Sequence, residues 1–158
     1  YAQFCRGKTA PPYLVLAGGK GWLDSGIYKK VEELGLGDLV KFTEYVPDEE
    51  ICPLMCGALV FVFPSIYEGF GLPPLEAMAC GVPVLTTHAA SLPEVVGEDA
   101  VVADPYSPES IAAGLEQLYT DEALRQKLRE AGPKRAAQFT WERSAEQLYA
   151  VYQEACRE

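Results

Sequence analysis

The stretch "ALVFVFPSIYEGFGLPPLEAMACGVPVLTT", residues 58–87, contains the pattern that decides the fold. It opens on an apolar run of strand length, continues through a helical segment that stops at Gly81, and closes on a second apolar run. The first run, residues 58–64, is the most continuous apolar segment in the chain, so we expect a central strand that is covered on both faces. A strand, a helix and a second strand in this order predict a right-handed crossover unit with parallel strands.

The flanking sequence continues the alternation of strands and helices. We predict a helix that ends at Gly35, a short helix that begins near Pro53 after a turn at residues 47–50, and wholly helical sequence from Ser107. This order predicts an α/β fold with a doubly wound, mostly parallel sheet and one domain over residues 1–158. The further strands are predicted at residues 13–19, 39–46, 82–87 and 100–104.

Composition excludes several classes of function. The 158-residue chain carries a formal net charge of −10, which argues against sequence-independent binding to nucleic acid or to anionic membrane, because both need a basic surface. No apolar run approaches the roughly 18 residues of a membrane span, so we expect a soluble, cytoplasmic protein. The chain begins at Tyr1 without a methionine, and we interpret it as a piece of a longer protein.

Five cysteines, an odd number, form no paired framework and suit a reducing compartment. Cys52 and Cys56 are four residues apart and could share a helical face as two metal ligands. No second pair or nearby histidine completes such a site in the sequence, so we favour the interpretation that they are buried small apolar residues.

The segment "EGFGLPPLE", residues 68–76, lies between a predicted strand and the following helix, where open α/β sheets bind their ligands. Gly69 and Gly71 can adopt positive φ and leave no side chain between the backbone and a ligand. Pro73 suits a helix start, so the free amides near Leu72 can face an anion with the positive end of the helix dipole behind them. This arrangement predicts phosphate binding without a basic surface.

Glu68 and Glu76 would repel a phosphate, so they need a different partner. An ionised carboxylate accepts two hydrogen bonds from a pair of adjacent hydroxyls, and a phosphate with a sugar on each side is a nucleotide sugar. Three alternatives remain: a glycosidase acid and nucleophile pair, an ordinary tight turn with acidic residues biased toward a helix start, and nucleotide binding without chemistry.

The segment "YEGFGLPPLEAMACGVPVLTT" resembles the signature of the retaining glycosyltransferases of family 4, in which two glutamates are separated by seven residues. The match continues through "LVLAGGKGW", "VKFTEYVPDEE", "GALVFVFPS", "SLPEVVG" and "FTWERSAEQLYAVY", and it is strongest to the bacterial mannosyltransferase-like branch. The resemblance implies the Rossmann-like, C-terminal half of a two-domain GT-B fold. The N-terminal acceptor domain and the first strand of this domain would then be absent from the chain.

The resemblance also implies the roles of individual residues. Glu68 would act in catalysis by binding hydroxyls of the donor sugar, Glu76 would bind the ribose, and Val46 would contact the base. Glu44 stands where a glycine is common in the family. The remaining donor-binding residues would be Gly18, Gly19, Lys20, Gly69, Phe70, Gly71 and Leu72.

The implied substrate is a nucleotide diphosphate sugar, with GDP-mannose preferred from the branch resemblance. No other cofactor and no protein-bound metal are implied. The acceptor would be a saccharide or a lipid-linked saccharide, which would bring the intact protein to a membrane. A non-catalytic module that binds a nucleotide sugar, or serves as a scaffold on the same fold, is the alternative function.

Overall fold

A computed structural model of the chain describes residues 1–19 and 24–157. Within these residues the chain alternates between strands and helices up to residue 103 and is helical afterwards. The strands are β1 (Leu14–Ala17), β2 (Val40–Glu44), β3 (Phe61–Val62), β4 (Val84–Thr87) and β5 (Val101–Ala103). The helices are α1 (Ala2–Cys5), α2 (Asp24–Glu33), α3 (Asp48–Cys56), α4 (Leu72–Ala79), α5 (Leu92–Val96), α6 (Pro108–Thr120), α7 (Glu122–Ala136) and α8 (Trp141–Ala155).

The strands form two parallel sheets. β1 pairs with β2, with Leu14 opposite Val40, and β3, β4 and β5 form a second sheet in that order. Parallel pairing with helices between successive strands confirms the predicted α/β class.

The prediction of a central strand at residues 58–64 was wrong. β3 is only two residues long, is half-buried and lies at one end of the three-stranded sheet, whereas all four residues of β4 are buried. The two threonines of β4 are polar in sequence, so the sequence did not indicate that this strand is fully buried. The Thr86 hydroxyl donates to the Phe63 carbonyl at 3.1 Å and the Thr87 hydroxyl to the Ser65 carbonyl at 2.6 Å. Both hydroxyls can therefore be buried without losing a hydrogen-bond partner.

The two predicted helix ends had different outcomes. The Leu36 N–H donates to the Val31 carbonyl at 3.0 Å beside Gly35, whose φ is 64°, so the glycine C-cap of α2 is confirmed. The predicted start of α3 near Pro53 was wrong, because the helix already begins at Asp48 and contains Pro53. Three acidic residues in its first turn interact favourably with the positive end of the helix dipole, which supports a helix start at Asp48.

The core joins α4 to the three-stranded sheet. Ala77 and Met78 of α4 are buried with Val82, Val84 and Val96 in one apolar cluster. A second cluster lies between β4, β5 and the helices α6 and α7. By contrast, α8 has no buried residue. No helix within residues 1–19 and 24–157 combines the length and the apolar composition that a membrane span requires.

Candidate functional site

The loop between β3 and α4 ends at Gly71, which is the N-cap of α4 and has φ 105° and ψ 52°. A Cβ at this position would lie 2.7 Å from Cδ2 of Leu92. Glycine is therefore required here for two reasons, the left-handed backbone and the close approach of α5. Gly69 differs, because its φ is not positive and a Cβ there would meet no atom within 4 Å.

The N-terminus of α4 offers one backbone donor in its first three positions. Leu72 is the first helical residue and is 48% exposed, and it is followed by Pro73 and Pro74, which have no N–H. No side chain caps this helix end. This helix start therefore has the Leu72 amide and the positive end of the helix dipole, the two features that suit an anion, at the place where the sequence predicted the helix start.

Hydroxyl groups from β4 and from the segment before α5 fix the loop. Besides the bonds from Thr86 and Thr87, the Ser91 hydroxyl lies 3.1 Å from the Glu68 carbonyl and 2.8 Å from the Phe70 carbonyl, as a donor to both. None of these three residues was predicted from the sequence. A pair of threonines at the end of an apolar strand could have identified Thr86 and Thr87, because buried hydroxyls there must bond to the neighbouring strand or loop.

Glu68 is half-buried in this loop, and its Oε1 accepts a hydrogen bond of 2.8 Å from the Ser65 hydroxyl. The bond orients the carboxylate while the second oxygen keeps its capacity to accept. Phe70 is 42% exposed and packs edge-on against Phe139, with ring centroids 5.8 Å apart. The loop therefore combines a fixed backbone with a carboxylate that is partly accessible.

Glu76 is exposed on α4 and lines a pocket of about 460 Å³ between α3 and α4. Asp48 lines the same pocket, and Val46, which is half-buried, precedes Asp48 by two residues. The structure thus brings Glu76 close to the segment that follows β2. Glu68 is not among the residues that line this pocket.

The glycine-rich turn after β1 lies beside the end of β2. The Gly18 N–H donates to the Glu44 carbonyl at 3.0 Å, and Gly19 is exposed with open space around it. Glu44 has φ 57°, a conformation that favours glycine, which agrees with the glycine common at this position in the family. Lys20 lies outside the described residues.

The interpretation of Cys52 and Cys56 as buried apolar residues was wrong, because both are exposed. The Sγ atom of Cys52 is 3.9 Å from that of Cys56 and 3.5 Å from that of Cys80, which is half-buried. Burial, and then hydrogen bonds from the other two thiols, raise the pKa of Cys80 to about 12. The Cys80 thiol is therefore protonated at neutral pH and is a poor nucleophile.

Known proteins resemble this chain in sequence and in fold. The family model described as "Glycosyl transferases group 1" matches residues 1–135. O-antigen chain mannosyltransferase B of Escherichia coli is 42% identical over 139 residues, which are 88% of this chain and 36% of that protein. The chain thus spans about a third of the length of that relative.

Two solved structures share the fold. Sucrose-phosphate synthase from Thermosynechococcus elongatus has a TM-score of 0.84 at 29% identity, over 99% of this chain and 41% of that chain. The C-terminal domain of a glycosyl transferase group 1 family protein from Francisella tularensis has a TM-score of 0.74 at 30% identity, over 87% and 74% of the two chains. The predicted Rossmann-like half of a GT-B fold is therefore confirmed, and the chain belongs to the group 1 glycosyltransferases.

Proposed function

We propose that the chain is the donor-binding half of a retaining, family 4 glycosyltransferase that transfers mannose from GDP-mannose to an acceptor hydroxyl. The product would be a polysaccharide or a glycolipid. The observation that carries the proposal is the N-terminus of α4, where the Leu72 amide is the single N–H of the first three positions, with Glu68 four residues before it and Glu76 four residues after it in the sequence. The similarity to an O-antigen chain mannosyltransferase supports the choice of sugar.

The proposed chemistry is mainly electrostatic. The bond from the anomeric carbon to the diphosphate breaks, so negative charge grows on the leaving group and positive charge on the sugar. The Leu72 amide and the dipole of α4 would stabilise the diphosphate without moving, because the hydroxyls of Thr87 and Ser91 fix the loop. Glu68 would hold hydroxyls of the donor sugar, and Glu76 those of the ribose. A reaction without a protein-bound metal stays a prediction, as does a cytoplasmic location.

The proposal also includes an N-terminal acceptor domain and a further strand from the same protein. Among the described residues, β1, β2, β3 and β5 each pair with one other strand, so the edges of β1 and β3 are two of the four to which a further strand could be added. The exposed apolar residues of α8, which include Leu148 and Tyr152, support a covering domain. We therefore expect the chain by itself to transfer little or no sugar.

Titration calorimetry on the intact protein tests donor binding. We expect GDP to bind, and Glu76→Ala to weaken its binding by about 10- to 100-fold, because hydrogen bonds to an ionised carboxylate are lost. Glu130→Ala, which removes an exposed carboxylate on α7, is the matched control and should leave affinity unchanged. If neither GDP nor UDP bound at millimolar concentration, the donor site would be wrong.

Sugar transfer by the intact protein separates the catalytic function from a binding module. We expect Glu68→Ala to lower kcat by about 100-fold or more while GDP affinity stays near that of the wild type. Unchanged transfer by this variant would remove Glu68 from catalysis. Failure of the wild type to transfer sugar from any member of a nucleotide-sugar panel would favour the non-catalytic alternative.

A further inference from the structure

Three thiols converge between α3 and α4, away from the loop that carries Glu68. Within residues 1–19 and 24–157, Cys52, Cys56 and Cys80 are the group whose ligand atoms could hold a metal ion, and their sulfurs all lie within 4.8 Å of one another. Two of the separations are 3.5 and 3.9 Å. Thiolates on one tetrahedral Zn²⁺ ion lie about 3.8 Å apart, since Zn–S bonds are about 2.3 Å long. The three sulfurs are therefore already at the spacing that such an ion needs.

The backbone that carries the three cysteines is fixed. Cys52 and Cys56 are separated by one turn of α3 and so project from the same face of that helix. Cys80 is the C-cap of α4 and lies two residues after Met78, which is buried in the core together with Ala77. Folding itself thus brings the third sulfur to the other two, and little chain entropy remains to be lost when an ion binds.

The surroundings admit a cation. Cys52 and Cys56 are exposed, so an ion can reach the sulfurs from solvent. Asp48 and Glu76 line the adjacent pocket with Cys52 and Cys80, and the chain has a net charge of −10, so the local and the overall field both favour a positive ion.

We propose that Cys52, Cys56 and Cys80 form a binding site for a thiophilic divalent cation of the Zn²⁺ class. The cation replaces the thiol protons, which pass to solvent, and no electron is transferred. Among residues 1–19 and 24–157 no carboxylate oxygen belongs to the three-sulfur group, so water would fill the fourth position of the ion. The bound ion links α3 to the C-terminal end of α4 and so stabilises the pocket that contains Glu76.

Cobalt substitution tests the site directly. The reduced protein, kept free of oxygen, is titrated with Co²⁺ alone, whose bonds to thiolates give a charge-transfer absorption and whose tetrahedral complexes give intense visible bands. We expect both signals to saturate at one equivalent and to disappear when Zn²⁺ is added. Cys52→Ala, at an exposed position that leaves the core intact, and Cys80→Ser should each reduce Zn²⁺ affinity by about 100-fold or more. Cys156→Ser, which removes another exposed cysteine, should retain wild-type binding.

Other outcomes would overturn the proposal. One is the absence of a charge-transfer band when Co²⁺ is added to the completely reduced wild-type protein. This outcome counts against the site even if mass mapping shows that Cys52 and Cys80 formed a disulfide before reduction. Another is a band of wild-type intensity in Cys52→Ala, with circular dichroism confirming that the variant is folded. Protection from N-ethylmaleimide is an independent readout, since Zn²⁺ should protect the three cysteines and leave Cys156 reactive. This test does not use GDP binding. Failure of the proposed metal site can therefore be distinguished from failure of the proposed donor site.

Discussion

Two glycines in one loop, Gly69 and Gly71, have different physical requirements although they are two residues apart. The backbone at Gly71 is left-handed, and a side chain there would collide with Leu92, so the fold itself favours glycine at this position. Gly69 has ordinary φ and open surroundings, so the fold places no such demand on it. In the proposed function the open space at Gly69 is where the backbone meets the donor.

We expect Gly71→Ala to lower the free energy of unfolding by about 1 to 3 kcal/mol, because the new methyl group strains the backbone and clashes with Leu92. Gly69→Ala should change it by less than about 0.5 kcal/mol but weaken GDP-mannose binding. Urea unfolding and calorimetry measure the two quantities. Equal destabilisation by both variants would contradict this assignment.

Thr87 allows a second test at the residue scale. Thr87→Val keeps the shape of a fully buried side chain but leaves the Ser65 carbonyl without its donor, so we expect a loss of about 1 to 3 kcal/mol in unfolding free energy. Thr120→Val is the control, since the Thr120 hydroxyl is exposed on α6 and water can replace its bond to the Glu116 carbonyl. A loss in the control as large as that in Thr87→Val would show that the loop bond is unimportant.

At the scale of elements, α4 and α7 cross at Gly132. A Cβ on Gly132 would lie 3.0 Å from the carbonyl oxygen and 3.3 Å from the Cα of Met78, and neither backbone atom can move without shifting α4. The crossing therefore depends on a residue without a side chain, in a helix where alanine would otherwise be preferred. Since α4 carries Glu76 and Leu72, this contact also sets the position of the candidate site.

Gly132→Ala should destabilise the protein by up to about 2 kcal/mol, because the clash outweighs the roughly 1 kcal/mol that alanine gains in a helix. Gly26→Ala is the matched variant, since Gly26 lies in α2 with no atom within 4 Å of the added methyl. We expect it to stabilise the protein by about 0.5 to 1 kcal/mol. Thermal unfolding of the two variants should shift in opposite directions, and a shift in the same direction would count against the crossing.

The sequence predicted those elements that local chemistry determines. The order of strands and helices, the cap at Gly35 and the start of α4 after Gly71 all follow from glycine, proline and apolar spacing, and the structure has each of them. Features that depend on distant partners could not be predicted. The burial of β4 depends on a hydroxyl bond to the Phe63 carbonyl just beyond β3, and the third thiol of the cysteine group, Cys80, lies 24 residues beyond Cys56.

At the scale of the whole molecule, the buried residues are concentrated around β4 and α4. β4 and the buried face of α4 lie at the centre of the core, whereas α8 contributes no buried residue. Local opening is easiest where few apolar contacts must be broken. Stability in this chain should therefore decrease from the three-stranded sheet toward the last helix.

Hydrogen–deuterium exchange followed by mass spectrometry can measure this gradient in the 158-residue chain. We expect peptides from β4 and α4 to be protected longest, and peptides from α8 to exchange at rates near those of a fraying helix. The covering domain that we propose should slow the exchange of α8 in a protein that contains it. Protection of α8 equal to that of β4 in the isolated chain would contradict the burial pattern.

The ladder edges of β1 and β3 have a consequence for handling the protein. An uncovered edge is a template on which another molecule can add a strand, so copies of the isolated chain should associate with one another as the concentration rises. Light scattering should increase accordingly, and it should stay low if the further strand that we propose pairs with one of these edges. Association that depends on concentration would thus report whether the edges are covered.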